Sequence, residues 1–429
     1  MKNAASSRSQ GGLVALANKL KRLGPGLVTG AADDDPSGIA TYSQAGAHFG
    51  SSLMWMMTLC YPLMVAVQLV SARVGRVTGH GLGKSLSKIM PGWLVIGLIA
   101  VLFIANTINI GADLAAMGEA SALVAGGWPH GFTVLFAVVS LLLQLFVPYH
   151  RYVNFLKWLT LVLFAYIALL FMVKVDWRAA AKGLVIPRVA SADAFTTIVA
   201  IFGTTISPYL FFWQAAQEVE DMDQNGKRKP LKEQRNRAPD ALSRIRWDTF
   251  AGMAVANVVA IAIILGTAAT LNAAGKTDIQ SAAEAAQALK PVAGNLAFLI
   301  FSLGIIGTGL LAIPVLAGSS AYAICEIGDW NASLERKPMR AKAFYAVITL
   351  GMVLGLAIDW SPINPMKALF WSAVINGVAA VPVLVGLMIV VSRPSIMGEF
   401  VASPSLKFFG WLATAVMGAA AIAMIAFPG

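Results

Sequence analysis

The chain is poor in charge and in residues that ligate soft metals. Charged residues make up 12% of its 429 residues, about half of the ~25% typical of soluble domains. Its two cysteines, Cys60 and Cys325, lie in apolar surroundings, which excludes a disulfide framework and a cysteine-based metal cluster. Its four histidines show no paired metal-ligand spacing. These absences argue against a secreted disulfide scaffold, a zinc protein and an ordinary soluble domain.

Catalytic motifs are absent as well. The sequence contains no His-Glu-x-x-His motif, no paired serine and histidine within an apolar segment and no glycine-rich phosphate loop. We therefore expect neither an enzyme nor a bound cofactor.

Long apolar segments occupy most of the chain. Hydrophobic residues make up 58% of the sequence and the mean hydropathy is +0.72, and a membrane span needs about 20 mostly apolar residues. The pattern predicts an all-α polytopic membrane protein that crosses the lipid bilayer about eleven times. The predicted spans are 26–46, 52–72, 93–122, 131–149, 153–173, 195–218, 247–270, 293–323, 342–358, 366–390 and 406–427.

The positive charges alternate between the two sides of these spans. Of the 32 lysines and arginines, 25 lie in the N-terminal segment and the connections that would share its side, and 7 lie on the other side. The positive-inside rule then places the N-terminus in the cytoplasm and the C-terminus outside, in the cytoplasmic (inner) membrane. This bias explains the net charge of +11 without a nucleic-acid partner. The basic segment 227–246 is predicted to be a cytoplasmic loop, either a topology signal or a contact for anionic lipid.

The first span contains three consecutive carboxylates followed by a proline. Asp33, Asp34 and Asp35 precede Pro36, and Gly38 follows. A carboxylate at bilayer depth costs roughly 2.5–3.5 kcal/mol, and proline removes a helix hydrogen bond. Such a broken, charged helix is tolerated where it lines a site or an aqueous cavity. The alternative is that the span begins after Pro36 and the aspartates lie among the lipid headgroups.

A second interruption lies five spans later, where Ser207-Pro208 divides an apolar segment. Two broken helices at matching places in two halves are typical of transporters, and a five-span offset makes the halves inverted repeats. At these breaks Asp35 offers an anionic oxygen, while Thr204 and Ser207 offer hydroxyls. Oxygen ligands suit Mg²⁺, Ca²⁺ or Mn²⁺. A carrier of amino acids or organic cations with the same architecture is the alternative.

The motifs at these breaks resemble those of the NRAMP metal-ion transporters. Asp35-Pro36-Ser37-Gly38, preceded by Gly24-Pro25, resembles the family's Asp-Pro-Gly-Asn, and Ser207-Pro208-Tyr209 stands where the family has Met-Pro-His. Asp113-Leu114-Ala115 resembles its third helix, and Asn376 lies near a position that the family fills with glutamine. The resemblance implies a LeuT-type fold of five plus five helices with broken helices 1 and 6. It divides the chain into a cytoplasmic segment 1–25, repeats 26–173 and 195–390, and an extra helix 406–427.

The departures from the family pattern concern the metal ligands and the proton path. Gly38 replaces the family's asparagine, and Ser207 replaces the methionine whose soft thioether favours transition metals. Tyr209, Gln214 and Ala116 stand where the family has residues associated with proton movement. This pattern resembles the NRAMP-related magnesium transporters. It implies Mg²⁺ as the substrate, with Mn²⁺ as second candidate, carried by alternating access without proton coupling. A proton-coupled carrier of Mn²⁺ or Fe²⁺ is the alternative.

The predicted metal site consists of Asp34, Asp35, Gly38, Thr204, Ser207 and Asn376. Asp113 in span 3 is expected either to line a vestibule or to pair with a buried donor. Glu119, nearer the end of that span, is expected to be interfacial or structural. The acidic run from Glu218 to Asp223 is expected to be a solvated helix end, with a cation release path as the alternative.

Overall fold

The computed structural model describes residues 30, 32–149, 151, 159–189, 191–224 and 229–427, and these residues form helices and connecting turns without a β-strand. Three predicted segments lie outside the described residues: the N-terminal segment 1–25, most of the start of span 1 and the start of span 5. Eight described helical segments are long and apolar enough to cross a membrane, and two shorter apolar helices accompany them. The chain is therefore a multi-pass membrane protein.

Twelve helices form the body of the described structure. They are α1 (Pro36–Phe49), α2 (Trp55–Thr78), α3 (Gly92–Ala125), α4 (Pro129–Phe146), α5 (Phe164–Met172), α6 (Asp193–Thr205), α7 (Pro208–Gln224), α8 (Ala238–Thr267), α9 (Ala297–Ile327), α10 (Lys342–Ile358), α11 (Pro365–Ser392) and α12 (Pro404–Ala426). Short connecting helices are Leu82–Leu86, Trp177–Val185, Ala282–Gln287, Lys290–Ala293 and Pro394–Met397. A π-helical turn, Ala268–Asn272, extends α8.

Where the ends of the predicted spans lie in the described residues, most agree with these helices to within about six residues. The sequence predicts span 5 from residue 153, but α5 begins at Phe164 after a 3₁₀-helix, Leu159–Leu163. Helix α8 begins at Ala238 rather than near residue 247. Pro239 in its first turn has a backbone angle suited to helix initiation, and the carboxylate of Asp240 complements the helix dipole. The prediction that 227–246 is a loop is therefore wrong from residue 238 onward, and Arg244 and Arg246 lie on a helix.

Both predicted helix breaks are present. Residues 32–33 are helical, Asp35 is extended with φ −66° and ψ 172°, and α1 starts anew at Pro36. The second break separates α6 from α7 at Ile206 and Ser207, since Ile206 leaves the helical region (φ −125°, ψ 55°) and Pro208 cannot donate the next hydrogen bond. Each break therefore interrupts the helical hydrogen-bond pattern of its span.

The packing of the helices brings the two breaks together. Helix α1 packs on α8 and α11, α6 packs on α11, and α3 packs on both α9 and α11. The contact between α6 and α11 is close at Gly203, where an added Cβ atom would lie 2.5 Å from the backbone nitrogen of Gly377. Only glycine fits there, so α6 can lie against α11 with its broken end facing the break that precedes α1.

Candidate metal-binding site

The Asp35 carboxylate caps the helix that begins at Pro36. Its Oδ1 atom accepts hydrogen bonds from the Ser37 hydroxyl at 2.6 Å and from the Gly38 backbone N–H at 2.8 Å. Asp35 is the N-cap residue, a position at which a side-chain oxygen satisfies a free amide and carboxylates complement the helix dipole. The broken helix therefore fixes this carboxylate in one orientation.

Two other helices hold the second oxygen of this carboxylate, and a third supports one of its donors. The Oδ2 atom of Asp35 accepts hydrogen bonds from the Asn109 side-chain amide of α3 at 3.1 Å and from the Tyr209 hydroxyl of α7 at 3.3 Å. The Asn109 carbonyl oxygen in turn accepts from the Ser372 hydroxyl of α11 at 2.6 Å. Asp35 is thus the centre of a buried network that joins both broken helices to α3 and α11.

The second break faces the first at Gly38. A Cβ atom added to Gly38 would lie 2.9 Å from the Oγ1 atom of Thr204, which is closer than an ordinary van der Waals contact. Gly38 and Thr204 therefore pack directly against each other. That Thr204 oxygen is buried and has no hydrogen-bond partner. Ser207 donates to the carbonyl oxygens of Gly203 and, at 3.1 Å, of Thr204. Because a hydroxyl that donates keeps its lone pairs, the Ser207 oxygen remains able to act as a ligand.

The other two predicted site residues lie beside this network rather than in it. Asn376 is buried four residues after Ser372 on α11, which places both on one helix face, and its carbonyl oxygen has no partner. Asp34 lies in the bend before Asp35, is buried, and has one oxygen without a partner. Unpaired buried oxygens are costly, and a bound cation would satisfy them.

Four carboxylates are buried in this region. Asp33, Asp34 and Asp35 are 1%, 4% and 1% exposed, so their side chains are enclosed by the protein. Asp113 is fully buried four residues after Asn109 on α3, and neither of its oxygens has a partner. In the described part of the chain, no ion pair joins these four residues to a lysine or arginine. The region therefore favours cations.

The arrangement of donors suits a hard cation. The described residues contain no group of three His, Cys, Asp or Glu side chains placed to hold a metal ion. At the two breaks lie the oriented Asp35 carboxylate and the hydroxyl oxygens of Thr204 and Ser207, and the unpaired amide oxygen of Asn376 lies on the neighbouring α11. Such oxygen ligands are those of Mg²⁺, Ca²⁺ and Mn²⁺, and Mg²⁺ also keeps several of its waters.

Sequence reasoning did not assign Asn109, Tyr209 and Ser372 to the site. The sequence presents Tyr209 only as a replacement for a histidine, yet its hydroxyl contacts the Asp35 carboxylate directly. A signal for Asn109 was available: Asn106, Asn109 and Asp113 occur at i, i+3 and i+7 of an apolar span and so share one face of α3. Polar residues with that spacing indicate a face turned toward other helices.

Glu119 and the acidic run on α7 have structural partners. The Glu119 carboxylate accepts a hydrogen bond from the Ala282 backbone N–H at 3.2 Å, which agrees with a structural role. The predicted solvated helix end is wrong for Glu218, which is fully buried and pairs with Arg244 at 2.6 Å. It is also wrong for Glu220, which is buried and accepts from the Leu334 backbone N–H at 3.1 Å.

Known proteins share this fold over nearly the whole chain. A manganese transporter from Eremococcus coleocola, solved with an aromatic bis-isothiourea compound, has a TM-score of 0.74 at 17% identity, covering 96% of this chain and 87% of the other. Mhp1, a nucleobase-cation-symport-1 family transporter in a closed conformation, has a TM-score of 0.56 at 13% identity, covering 95% and 94%. The two similarities establish the LeuT-type fold with its two broken helices.

Sequence comparison identifies the family. A divalent metal cation transporter, MntH, from Klebsiella pneumoniae strain 342 is 25% identical over 415 residues, which is 93% of this chain and 92% of the relative. MntH from Klebsiella pneumoniae subsp. pneumoniae shows the same identity and coverage. The sequence model of the family described as Nramp, natural resistance-associated macrophage protein-like, matches residues 26–427. Because that match spans almost all of the sequence, the chain belongs to the Nramp family.

Proposed function

We propose that this protein is a secondary transporter that moves divalent cations across the cytoplasmic membrane by alternating access. The observation that carries the proposal is the Asp35 carboxylate, which hydrogen bonds from Ser37, Asn109 and Tyr209 hold where the two helix breaks meet. Broken helices that meet at such a point form the substrate sites of this class of carrier. The names of the relatives, divalent metal cation transporter and manganese transporter, support the same function.

The ligands proposed for the ion are the side-chain oxygens at the two breaks and on the neighbouring α11. Asp35 supplies the anionic oxygen, and Thr204, Ser207 and Asn376 supply neutral ones. Gly38 has no side chain to act as a ligand, and the absence of a Cβ atom allows the close approach of Thr204. Asp34 adds negative charge next to the site and can supply a further oxygen to the ion or to its water shell.

Mg²⁺ is the proposed substrate and Mn²⁺ the second candidate. Ser207 replaces a soft thioether with a hydroxyl, and this exchange lowers the binding affinity for transition metals more than the affinity for Mg²⁺. Gly38 and Ser207 are smaller than the family's asparagine and methionine, which favours an ion that dehydrates reluctantly and keeps waters. Selection for Mg²⁺ therefore rests on hard ligands and on small side chains at the two breaks.

We propose that transport is not coupled to protons. Tyr209 replaces a histidine of the family pattern, and its hydroxyl is engaged with Asp35. Gln214 and Ala116 replace the other residues associated with proton movement. Coupling is also unnecessary, since moving a doubly charged ion inward across about 100 mV releases roughly 4.6 kcal/mol.

A proton-coupled carrier of Mn²⁺ or Fe²⁺ is the second candidate, and one observation favours it. Both oxygens of the buried Asp113 carboxylate are without partners, and a proton would neutralise that group in the absence of a cation. A carrier of amino acids fits less well, because a substrate carboxylate needs free amides at the break. The Gly38 amide is already bonded to Asp35.

Uptake into proteoliposomes with a pH-sensitive dye inside separates the two candidates. We expect Mg²⁺ entry to rise with an inside-negative potential set by a potassium gradient and to leave internal pH unchanged. Vesicles containing the Asp113→Asn variant are the matched comparison. Acidification driven by the metal gradient and lost in that variant would establish the proton-coupled carrier and exclude our proposal.

A further inference from the structure

The side-chain amide of Asn106 makes an unusual set of contacts between α3 and α9. Its nitrogen lies 3.0 Å from the backbone carbonyl oxygen of Leu316, 3.0 Å from the Ser319 hydroxyl and 2.8 Å from the Ser320 hydroxyl. Asn106 and both serines are buried. One atom of α3 is thus surrounded by three oxygens from a single turn of α9.

Nitrogen, not oxygen, is the atom that faces these groups. The Leu316 carbonyl can only accept a hydrogen bond, so an amide oxygen at the same place would be repelled. An amide nitrogen carries two hydrogens, yet three oxygens surround it. The Asn106 oxygen, meanwhile, is buried without a partner. The three oxygens can therefore accept more hydrogen bonds than the two amide hydrogens can donate.

The three oxygens form a preformed cage on α9. Leu316, Ser319 and Ser320 are spaced i, i+3 and i+4, which places them on one helix face. The Ser319 hydroxyl donates to the Leu316 carbonyl at 2.9 Å, so its lone pairs remain for the group in the cage. Carbonyl and hydroxyl oxygens converging on one point can replace the water shell of a monovalent cation, as carbonyls do in ion-selective pores.

The cage lies close to the proposed metal site. Asn106 precedes Asn109 by three residues, so the two side chains leave the same face of α3 about 4.5 Å apart along its axis. Asn109 donates to Asp35. A cation in the cage would therefore sit near a divalent ion bound at Asp35, and the two positive charges would repel each other.

We propose that the Asn106 amide fills a monovalent-cation site between α3 and α9, so that no Na⁺ binds beside the divalent ion. The amide supplies the partial positive charge that the oxygens require, without a full charge next to the substrate. The statement about the neighbouring ion rests on the proposed transport function. The cage itself rests only on the contacts of Asn106.

Emptying the cage tests the proposal. The melting temperature of purified Asn106→Ala is measured in NaCl, LiCl, KCl and choline chloride at equal ionic strength. We expect a saturable rise of at least about 2 °C in one of the alkali salts relative to choline. The wild-type protein, whose cage is filled, should melt at the same temperature in all four salts.

Two controls separate cage filling from general loosening of the helices. Ser302→Ala removes another hydrogen bond between α9 and α3, from the Ser302 hydroxyl to the Ala120 carbonyl at 2.7 Å, without opening the cage. It should show no preference among the salts. Adding Ser320→Ala to Asn106→Ala removes a cage oxygen and should abolish the response to the alkali ion.

Asn106→Ser is the second variant, because it opens the cage while keeping a polar side chain. Folded Asn106→Ala and Asn106→Ser proteins that melt alike in all four salts would overturn the proposal. Failure of both variants to fold in alkali salts would also overturn it, because an ion should replace the amide. Stabilisation of the wild-type protein by Na⁺ that depends on Ser320 would overturn it as well. The readout is the melting temperature and not transport. If Asn106→Ala responds to an alkali ion but the protein transports no divalent ion, the proposed transport function is refuted and the cage proposal is not.

Discussion

The contact between Gly38 and Thr204 links the two helix breaks, and it can be tested by a double-mutant cycle. In Gly38→Ala, the new Cβ atom would lie 2.9 Å from the Thr204 Oγ1 atom, whereas ordinary contacts begin at 3.4 Å. The two half-helices must separate by about 0.5 Å or a side chain must turn. Overpacking of this kind costs about 1–3 kcal/mol, or roughly five- to 150-fold in an equilibrium constant.

The same substitution in a Thr204→Ala background meets no oxygen at that distance. We expect Gly38→Ala to lower the melting temperature and weaken Mg²⁺ uptake in the wild-type background, and to have much less effect on melting in the Thr204→Ala background. The coupling between the two positions should be about 0.5–3 kcal/mol, as for residues in contact. An equal loss of stability in both backgrounds would mean that the two breaks do not meet at these residues.

Three further predictions concern selectivity, stability and pH. Ser207→Met should raise the affinity for Mn²⁺ or Cd²⁺ relative to Mg²⁺ because a thioether favours softer ions; an unchanged ratio in competition uptake would contradict the proposed ligand set. Arg244→Ala leaves Glu218 buried without its partner and should cost about 3–5 kcal/mol, whereas Arg235→Ala at an exposed ion pair should cost at most about 1 kcal/mol; equal melting temperatures would refute this. Burial and neighbouring lysine charges lower the pKa of His80 below its ordinary 6.5, so the unfolded chain binds more protons and stability should fall as pH drops through that value. His80→Gln should flatten the pH dependence, and an unchanged slope would exclude His80 as its source.

The helix breaks could be predicted from sequence because their causes are local. A proline after three carboxylates, or in the middle of an apolar segment, interrupts a helix whatever surrounds it. The identities of Asp35, Thr204 and Ser207 as candidate ligands followed from their positions at these interruptions. The structure brings Gly38 of one break against Thr204 of the other, as the paired-break hypothesis requires.

The partners of Asp35 could not be predicted in the same way, because they depend on how distant helices meet. Asn109 and Ser372 are separated by 263 residues and are joined only by the packing of α3 on α11. Glu218 was misjudged for the same reason: a charge near a helix end is usually solvated, but Arg244 reaches it from α8. The sequence shows that these residues are polar, but it does not show which of them are buried against one another.

Uptake of Mg²⁺ by the Asp35→Ala variant tests the central claim most directly. Proteoliposomes containing wild-type protein, Asp35→Ala or Asp240→Asn, which removes an exposed carboxylate at the start of α8, are compared at the same protein density and membrane potential. We predict that uptake is lost in Asp35→Ala, although the protein remains folded, and is retained in Asp240→Asn. Wild-type uptake by folded Asp35→Ala would contradict the account, because Asp35 is the proposed anionic ligand of the ion.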